Sequence, residues 1–210
     1  MGCDIHLHVE VKDSETGTWK MFRGNERENP YYDAEYALDC PGSIYAERII
    51  PEQFYAGRNY DLFAILADVR NGYGFAGCDT GDGFVPICKP KGLPEDLSPE
   101  VRGDADHWGW DGHSHSWHTL VDLQKYDWDR TTKLRGYVSP EAARMFKETG
   151  ELPGGWCGWT SQEDWVQLEW PISYRECVKY FLERTMKRLE EVAEEFGGPD
   201  NVRIVFWFDN

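Results

Sequence analysis

The last apolar run of the chain constrains its fold more than any other feature. Residues 202–208 read Val-Arg-Ile-Val-Phe-Trp-Phe, so apolar side chains occupy both faces of a β-branched and aromatic segment. A strand with two apolar faces has to be covered on both sides, which places it inside a sheet. We therefore expect this run to lie in a central sheet with other elements packed on each face.

The opposite end of the chain carries a second strand pattern. From Cys3 to Val11 the odd-numbered positions are apolar and the even-numbered positions are polar, which is typical of a half-buried strand. The turn-forming residues 13–17 follow, so residues 18–22 can return as the second strand of a hairpin. Both terminal strands are expected in one mostly antiparallel sheet.

Helical signals lie between these strands. Asn59 can cap a helix that Gly72 would end. The clearest helix follows Ser173, which can form a capping box with Glu176, and this helix runs to about Phe196. Three shorter helices are predicted after the capping residues Ser98, Thr119 and Ser139. These elements favour an α+β architecture with a long C-terminal helix.

The remaining segments complete the predicted organisation. Residues 164–172 alternate imperfectly and predict a further strand. Residues 24–57 and 71–118 are irregular and loop-rich, and long ordered loops of this kind are often functional. A length of 210 residues suits one domain, or one domain with a modest insertion, and we expect a single α+β domain over residues 1–210.

The charge balance limits the partners of the protein. The chain has 22 Lys and Arg against 38 Asp and Glu, a net charge of −16. Such a field repels phosphate backbones and anionic lipid, so neither a generic nucleic-acid coat nor a membrane-surface protein is expected. The sequence shows neither a membrane-spanning run nor a signal-peptide pattern, so we expect a cytoplasmic protein. In that compartment the six cysteines are expected to be buried thiols.

Four of the six histidines lie in two segments with the same order of residues. Residues 4–8 read Asp-Ile-His-Leu-His, and residues 111–115 read Asp-Gly-His-Ser-His. On a strand, side chains two residues apart project from one face, so each segment can direct its polar groups to one point. Imidazole and carboxylate together suit Zn²⁺ or Mn²⁺. The candidate metal ligands are Asp4, His6, His8, Asp111, His113 and His115.

Two interpretations of these histidines remain open. If the segments meet, His6, His113, His115 and Asp111 are the candidate catalytic residues, which would activate water or move protons. Alternatively, the polar face of the first strand is simply solvated, as one face of an antiparallel sheet often is. The polar, Trp-rich loop around residues 111–115 favours a functional role for that segment.

A second group of residues is suited to bind an anionic ligand. Arg58 and Asn59 stand at a predicted helix start, where free N–H groups favour phosphate, and Arg70 stands near the end of the same helix. Trp110 can stack on a base, and Ser114 can donate a hydrogen bond. The alternative for both arginines is structural: Arg58 can pair with an acid, and Arg70 can stabilise a helix C-terminus.

Three stretches resemble a group of proteins encoded by bacteriophages and prophages. They are residues 1–6 (Met-Gly-Cys-Asp-Ile-His), residues 57–72 (Gly-Arg-Asn-Tyr-Asp-Leu-Phe-Ala-Ile-Leu-Ala-Asp-Val-Arg-Asn-Gly) and residues 112–116 (Gly-His-Ser-His-Ser). The resemblance spans most of residues 1–130. It implies a phage accessory protein in the host bacterial cytoplasm, with counter-defence or nucleotide metabolism as its setting. It implies no catalytic residue.

These observations support three functional hypotheses. The first is a divalent-metal-dependent hydrolase that uses Zn²⁺ or Mn²⁺ on a phosphorylated nucleotide or a cyclic-nucleotide signal. The second is a metal-free sponge that sequesters a nucleotide messenger. The third is an interaction or assembly protein without a small ligand, which fits the acidic composition and the ten tryptophans. The sequence leaves a homo-oligomer open.

Overall fold

The computed structural model describes residues 2–39, 46–151 and 154–209. The strands are β1 (Ile5–Lys12), β2 (Trp19–Met21), β3 (Arg27–Glu28), β4 (Ile49–Ile50), β5 (His113–Thr119), β6 (Thr131–Val138), β7 (Val166–Ser173) and β8 (Val202–Phe208). The helices are α1 (Ala34–Asp39), α2 (Tyr60–Ala67), α3 (Pro99–Trp108), α4 (Leu120–Lys125), α5 (Pro140–Thr149), α6 (Tyr174–Cys177) and α7 (Lys187–Glu195). The α+β prediction is confirmed. Cys40, for which a buried thiol was expected, lies outside the described residues.

The chain forms two compact units. Unit 1 contains Asn59–Lys89 and Asp127–Lys179 together with Gly2, and unit 2 contains Cys3–Arg58, Pro90–Tyr126 and Tyr180–Asn210. The expectation of a single domain over residues 1–210 stays a prediction. Within the described residues, no helix has both the length and the apolar character needed to cross a lipid bilayer.

Unit 2 is built on a four-stranded antiparallel sheet in the order β2-β1-β8-β5. Every residue of β8 is buried, because β8 lies between β1 and β5 and is covered on both faces. This confirms the predicted central sheet that contains both terminal strands. A separate two-stranded sheet pairs β3 with β4.

The two faces of this sheet differ in character. On the histidine face, His6, His8 and Glu10 of β1 lie opposite Trp207, Val205 and Arg203 of β8, respectively. Helix α3 packs on this face, where Val101 and Ala105 join Val205 and Trp207 in one apolar cluster. The other face is apolar and carries alternate residues of the same two strands. These are Ile5, Leu7, Val9, Val11, Val202, Ile204, Phe206 and Phe208.

Unit 1 contains the antiparallel β6–β7 pair together with α2, α5 and α6. Helix α2 begins after Asn59, whose side-chain oxygen accepts hydrogen bonds from the backbone N–H groups of Asp61 and Leu62. Six of its eight residues are buried, so this helix supplies much of the apolar interior of unit 1. The predicted strand over residues 164–172 is present as β7, shifted by one or two residues.

Several local predictions are confirmed by the backbone. Thr119 and Ser173 both form capping boxes, and Ser139 caps α5, which Gly150 ends in the left-handed conformation. The predicted end of α2 at Gly72 is wrong, because Asp68 takes the left-handed conformation (φ 58°) and closes the helix there. The C-terminal helical run ends near Phe196 as expected, but it includes a π-helical turn over Phe181–Met186.

Candidate functional site

Strand β8 brings the two histidine segments into one sheet. β1 pairs with one edge of β8 and β5 pairs with the other. Trp207 lies between them, and its ring centroid is 5.9 Å from the His6 ring, 5.1 Å from the His8 ring and 5.7 Å from the His115 ring. Three of the four predicted imidazoles therefore surround one buried indole.

The fourth imidazole is directed elsewhere. A register shift interrupts β5 between His113 and Ser116, and Ser114 adopts a positive φ of 54°. His113 consequently lies opposite Phe208, with ring centroids 6.1 Å apart, and its Nδ1 is hydrogen bonded to Ser114 Oγ at 3.0 Å. The irregularity separates the predicted catalytic residue His113 and the predicted ligand residue Ser114 from the group around Trp207.

Two histidines of β1 are each held by a carboxylate. His8 Nε2 donates a hydrogen bond to Asp104 Oδ2 at 3.0 Å, and both side chains are almost completely buried. His6 Nε2 donates to Asp209 Oδ2 at 3.2 Å, in a somewhat more exposed position. In each pair the carboxylate fixes the ring and directs the other nitrogen, Nδ1, away from it. A histidine oriented in this way can act as a general base or acid.

His115, the third imidazole around Trp207, is partly buried beside that indole. Burial, and secondarily the charge of His113, lower the pKa of His115. Both effects disfavour the imidazolium because the charged form loses hydration and faces a like charge. His115 is therefore held in its neutral form more strongly than a solvated histidine.

The two aspartates that open the predicted metal segments do not join the imidazoles. Asp4 accepts hydrogen bonds from the Arg58 guanidinium, one of them from Nε to Oδ1 at 2.8 Å. This hydrogen bonding lowers the pKa of Asp4, so the carboxylate stays charged and paired. Asp111 is exposed, and its backbone N–H donates to Trp108 O. The predicted anion contact Arg58 is thus engaged by an acid.

The other predicted ligand residues have separate positions. Asn59 is the cap of α2, and its amide donates to Cys177 O at 2.9 Å. Arg70 packs over the Tyr60 ring at 5.1 Å. Trp110 is completely exposed. Asn59 and Arg70 belong to unit 1, whereas Trp110 belongs to unit 2.

The described residues contain no group of three or more His, Cys, Asp or Glu side chains placed to hold a metal ion. The carboxylates that contact His6 and His8 are Asp209 and Asp104, neither of which belongs to the predicted ligand set. Their hydrogen bonds leave an Nδ1 atom on each ring. Metal-binding histidines often have this arrangement, with a carboxylate on the other nitrogen.

A cavity of about 290 Å³ opens beside the two carboxylate-held histidines. Its size is at the lower end of the range of small-molecule pockets, about 300–1,000 Å³. One wall is the N-terminal half of β1 with Asp104 of α3, and the facing wall comes from residues 27–31 and 50–55. All of these residues belong to unit 2. The cavity therefore joins the histidine pairs to a space of ligand size.

One cation in the cavity wall, Arg27, is not paired with an acid among the described residues. Glu52 forms a bidentate ion pair with Arg188, in which Nε donates to Oε1 at 3.0 Å and Nη2 donates to Oε2 at 3.1 Å. Asp104 is occupied by His8. Arg27, in contrast, contacts only the neutral side chain of Gln53 at 3.2 Å among the polar contacts of the described residues.

Polar atoms without partners cluster on the histidine face. In the described chain, Asp104 Oδ1, Trp108 Nε1 and Trp207 Nε1 are buried and make no hydrogen bond. His6 connects two of these residues, with its ring centroid 3.9 Å from that of Trp108. Buried polar atoms are usually satisfied, so such a cluster is typical of a site that receives a ligand or ordered water.

Sequence reasoning missed four residues of this region: Asp104, Asp209, Arg27 and Trp207. Asp104 lies on a predicted helix and Asp209 follows the last strand, so both are far in sequence from the histidines that they contact, His8 and His6. Arg27 lies in a segment without periodicity. Trp207 was expected in the core and is there, but its place between the histidines depends on the strand order.

Comparison with protein-family models, with curated protein sequences and with solved structures finds no match. The chemistry of the site therefore has to be derived from its own residues.

Proposed function

We propose that the protein is a hydrolase of a small phosphorylated molecule of the nucleotide type, with its active site at the cavity beside β1. The observation that carries this proposal is the pair of carboxylate-held imidazoles, His8–Asp104 and His6–Asp209, on one cavity wall. Two positioned histidines can supply both a general base and a general acid.

The proposed reaction adds water across a P–O bond. His8, the more buried histidine, takes a proton from the attacking water while the new P–O bond forms. His6 gives a proton to the leaving oxygen as the old P–O bond breaks. The products are a phosphate and an alcohol, and a proton passes from His8 to His6 through solvent to restore the site. Asp104 and Asp209 act as positioning residues, because each holds its imidazole in one tautomer and orientation.

Arg27 is the proposed contact for the phosphate. Arg27 belongs to the cavity wall, and its guanidinium has no acid partner in the described chain, so it can form two charge-assisted hydrogen bonds to phosphate oxygens. This local cation counters the long-range repulsion from a chain with a net charge of −16. The resemblance to phage proteins adds a setting, which is a nucleotide signal in the host cytoplasm.

A divalent metal is the second form of the same proposal. The Nδ1 atoms of His6 and His8 are its candidate ligands, with Zn²⁺ or Mn²⁺ as the ion. Dialysis against EDTA separates the two forms. Unchanged hydrolysis supports acid–base catalysis by the histidines alone, whereas loss of activity and recovery with Mn²⁺ supports the metal-dependent form.

The decisive experiment measures hydrolysis of bis(p-nitrophenyl) phosphate and of a panel of linear and cyclic nucleotides. Asp104→Asn keeps the size of the side chain but weakens its hold on His8, so we expect kcat to fall roughly 10²–10⁴-fold. The pH profile of kcat/KM should be bell-shaped in the wild type and should lose one limb in His6→Gln, because one proton donor is removed.

His107→Gln is the matched control. This histidine lies on the same helix as Asp104 but contacts Tyr36 and is exposed. It should leave kcat unchanged. Circular dichroism and thermal unfolding must show that the Asp104→Asn protein is folded. Wild-type protein that cleaves none of these substrates, with or without Mn²⁺, would contradict the proposal.

A second candidate is binding without turnover. Arg27 favours it, since this cation of the cavity wall has no acid partner among the described residues and can hold an anionic ligand without any chemical step. Protein loaded with the ligand and then heated distinguishes the two functions by mass spectrometry. Recovery of intact ligand supports sequestration, and recovery of a cleaved product supports the hydrolase.

A further inference from the structure

Among the residues that the structure describes, none pairs with the outer edge of β1 along its N-terminal half. β2 pairs only with residues 10–12, and one further bond on this edge runs from Phe22 N–H to Val9 O at 2.8 Å. In an antiparallel strand the backbone groups of alternate residues point to opposite edges. The backbone groups of Val9 point to the outer edge of β1, away from β8. The backbone N–H and C=O groups of Ile5 and Leu7 therefore point to the same outer edge.

This open edge lies along the cavity. The four consecutive residues 5–8 all line it. Their side chains alternate between the two faces of the sheet, so a single space can contact all four only at the edge of the strand. The outward N–H and C=O groups of Ile5 and Leu7 therefore face the cavity.

These backbone groups have no partner in the part of the chain that the structure describes. Ile5 is 7% exposed and Leu7 is 8% exposed, so each residue as a whole is largely buried. Buried backbone N–H and C=O groups are almost always hydrogen bonded in native proteins. A ligand that presents a donor beside an acceptor would satisfy both groups at once.

We propose that the free edge of β1 binds the base of a nucleotide. Ile5 C=O would accept a hydrogen bond from a base N–H, and Leu7 N–H would donate to the neighbouring ring nitrogen or carbonyl oxygen. Adenine, guanine and cytosine each carry a donor beside an acceptor on their pairing edge. This inference rests on the proposed function, because the histidine pairs and Arg27 on the same cavity would receive the phosphate.

A base fits this edge better than an added peptide strand. On this edge of β1, the described structure leaves the backbone groups of two residues, Ile5 and Leu7, without partners before the pairing with β2 begins. Peptides that extend a sheet use a longer edge and a groove that is open at both ends. The cavity is compact, at about 290 Å³, and Arg27 belongs to its wall. The positive charge of Arg27 is better matched by a phosphate than by a neutral peptide backbone.

Amide hydrogen exchange on the ¹⁵N-labelled full chain tests this inference, with AMP, GMP and CMP as probes. We expect a saturating nucleotide to slow exchange at the Leu7 amide by about tenfold or more, because its N–H becomes hydrogen bonded. The His8 amide points to β8 and serves as the internal control, which should not change. Ribose 5-phosphate, which has no base, should leave Leu7 unprotected.

Methylated bases give a second measurement that needs no protein variant. N6,N6-dimethyl-AMP lacks the N–H donors of the adenine amino group, and 1-methyl-GMP lacks the N1–H donor beside O6 although it keeps its 2-amino group. Each should therefore bind about tenfold more weakly than its parent nucleotide. An unprotected Leu7 amide at nucleotide saturation overturns the inference, as does protection by an extended peptide but by no nucleotide. Protection without hydrolysis supports the base site and contradicts the hydrolase, while hydrolysis with Leu7 unprotected does the reverse.

Discussion

Asp61 is a partly buried carboxyl in unit 1 that is expected to change charge near neutral pH. Burial raises its pKa to about 6, and a hydrogen bond with Cys177 opposes this only in part. Burial also raises the pKa of the Cys177 thiol, so the thiol stays protonated. Charging Asp61 therefore costs folding free energy, because the ion loses hydration without gaining a cation.

The stability of unit 1 should fall as pH rises through the pKa of Asp61. The folded value of about 6 exceeds the ordinary value of 3.8, so the contribution is fully present below about pH 3.8 and lost above about pH 6. The shift of about 2 pKa units corresponds to about 3 kcal/mol. We expect Asp61→Asn to raise the free energy of unfolding by about 1–3 kcal/mol at pH 7.5 and to have little effect at pH 4.

Urea unfolding of the wild type and Asp61→Asn at both pH values measures this effect. Asp164→Asn, which changes an exposed carboxyl of the same unit, is the control and should leave the pH dependence as it is. Equal stability of the wild type and Asp61→Asn at pH 7.5 would show that the Asp61 carboxylate is solvated.

Glu10 and Arg203 form the most deeply buried ion pair on the histidine face. Arg203 Nε donates to Glu10 Oε2 at 2.7 Å, and Glu10 Oε1 accepts from the backbone N–H of Ser98. The side chains are 0% and 2% exposed for Glu10 and Arg203, respectively. We expect Glu10→Gln to destabilise unit 2 by about 3–5 kcal/mol, because the Arg203 charge stays buried with one partner fewer.

Chemical denaturation followed by tryptophan fluorescence tests this prediction. Asp13→Asn, which breaks the exposed pair between Asp13 and Lys20, is the control and should change stability little. A loss for Glu10→Gln no larger than for Asp13→Asn would mean that Asp96, the second acid on Arg203, is sufficient to balance its charge.

At the scale of elements, close packing in the β6–β7 pair depends on a glycine. A Cβ atom at Gly136 would lie 2.5 Å from Trp156 Cε3 and 3.1 Å from Cys157 O. The Cys157 carbonyl is held in place, because Tyr137 and Cys157 donate backbone hydrogen bonds to each other. We expect Gly136→Ala to destabilise unit 1 by about 1–3 kcal/mol.

Thermal and urea unfolding of two alanine variants check this expectation. Gly154 has no atom within 4 Å of its hypothetical Cβ atom, so Gly154→Ala in the same unit should leave stability nearly unchanged. If Gly136→Ala were as stable as Gly154→Ala, the Trp156 ring would have to move away at little cost.

The elements that local chemistry defines were predictable from the sequence. The alternation of residues 3–11 gave β1, and the capping boxes at Thr119 and Ser173 gave the starts of α4 and α6. The end of α2 was not predictable, because Asp68 takes a left-handed conformation that glycine usually supplies. The bulge in β5 was also hidden, since it depends on pairing with β8.

At the scale of the whole molecule, the net charge should control how fast an anionic ligand arrives. The net charge of the chain is −16, so its field would oppose the approach of a nucleotide to the proposed site at Arg27. We expect the association rate of AMP to rise about two- to threefold between about 20 and 200 mM NaCl, as salt screens the repulsion. Stopped-flow fluorescence measures this rate.

Uncharged adenosine provides the control for this salt effect. Its association rate should not depend on NaCl, because the net charge acts only on charged ligands. A rate for AMP that falls with salt would mean that the local positive potential around Arg27 outweighs the field of the whole chain.

The sequence by itself determined the α+β class and the two terminal strands of the central sheet. It also showed that four of the six histidines lie in two Asp-x-His-x-His segments. These features could be predicted because periodicity and residue type are local properties of a chain. Tertiary structure alone decided which groups meet. The strand order places Trp207 between His6 and His115. The packing of α3 on the sheet brings Asp104 within hydrogen-bond distance of His8. Asp4 is only two residues from His6 in sequence, but its carboxylate accepts hydrogen bonds from Arg58. Partners distant in sequence are chosen by the packing of whole elements, which no local pattern encodes.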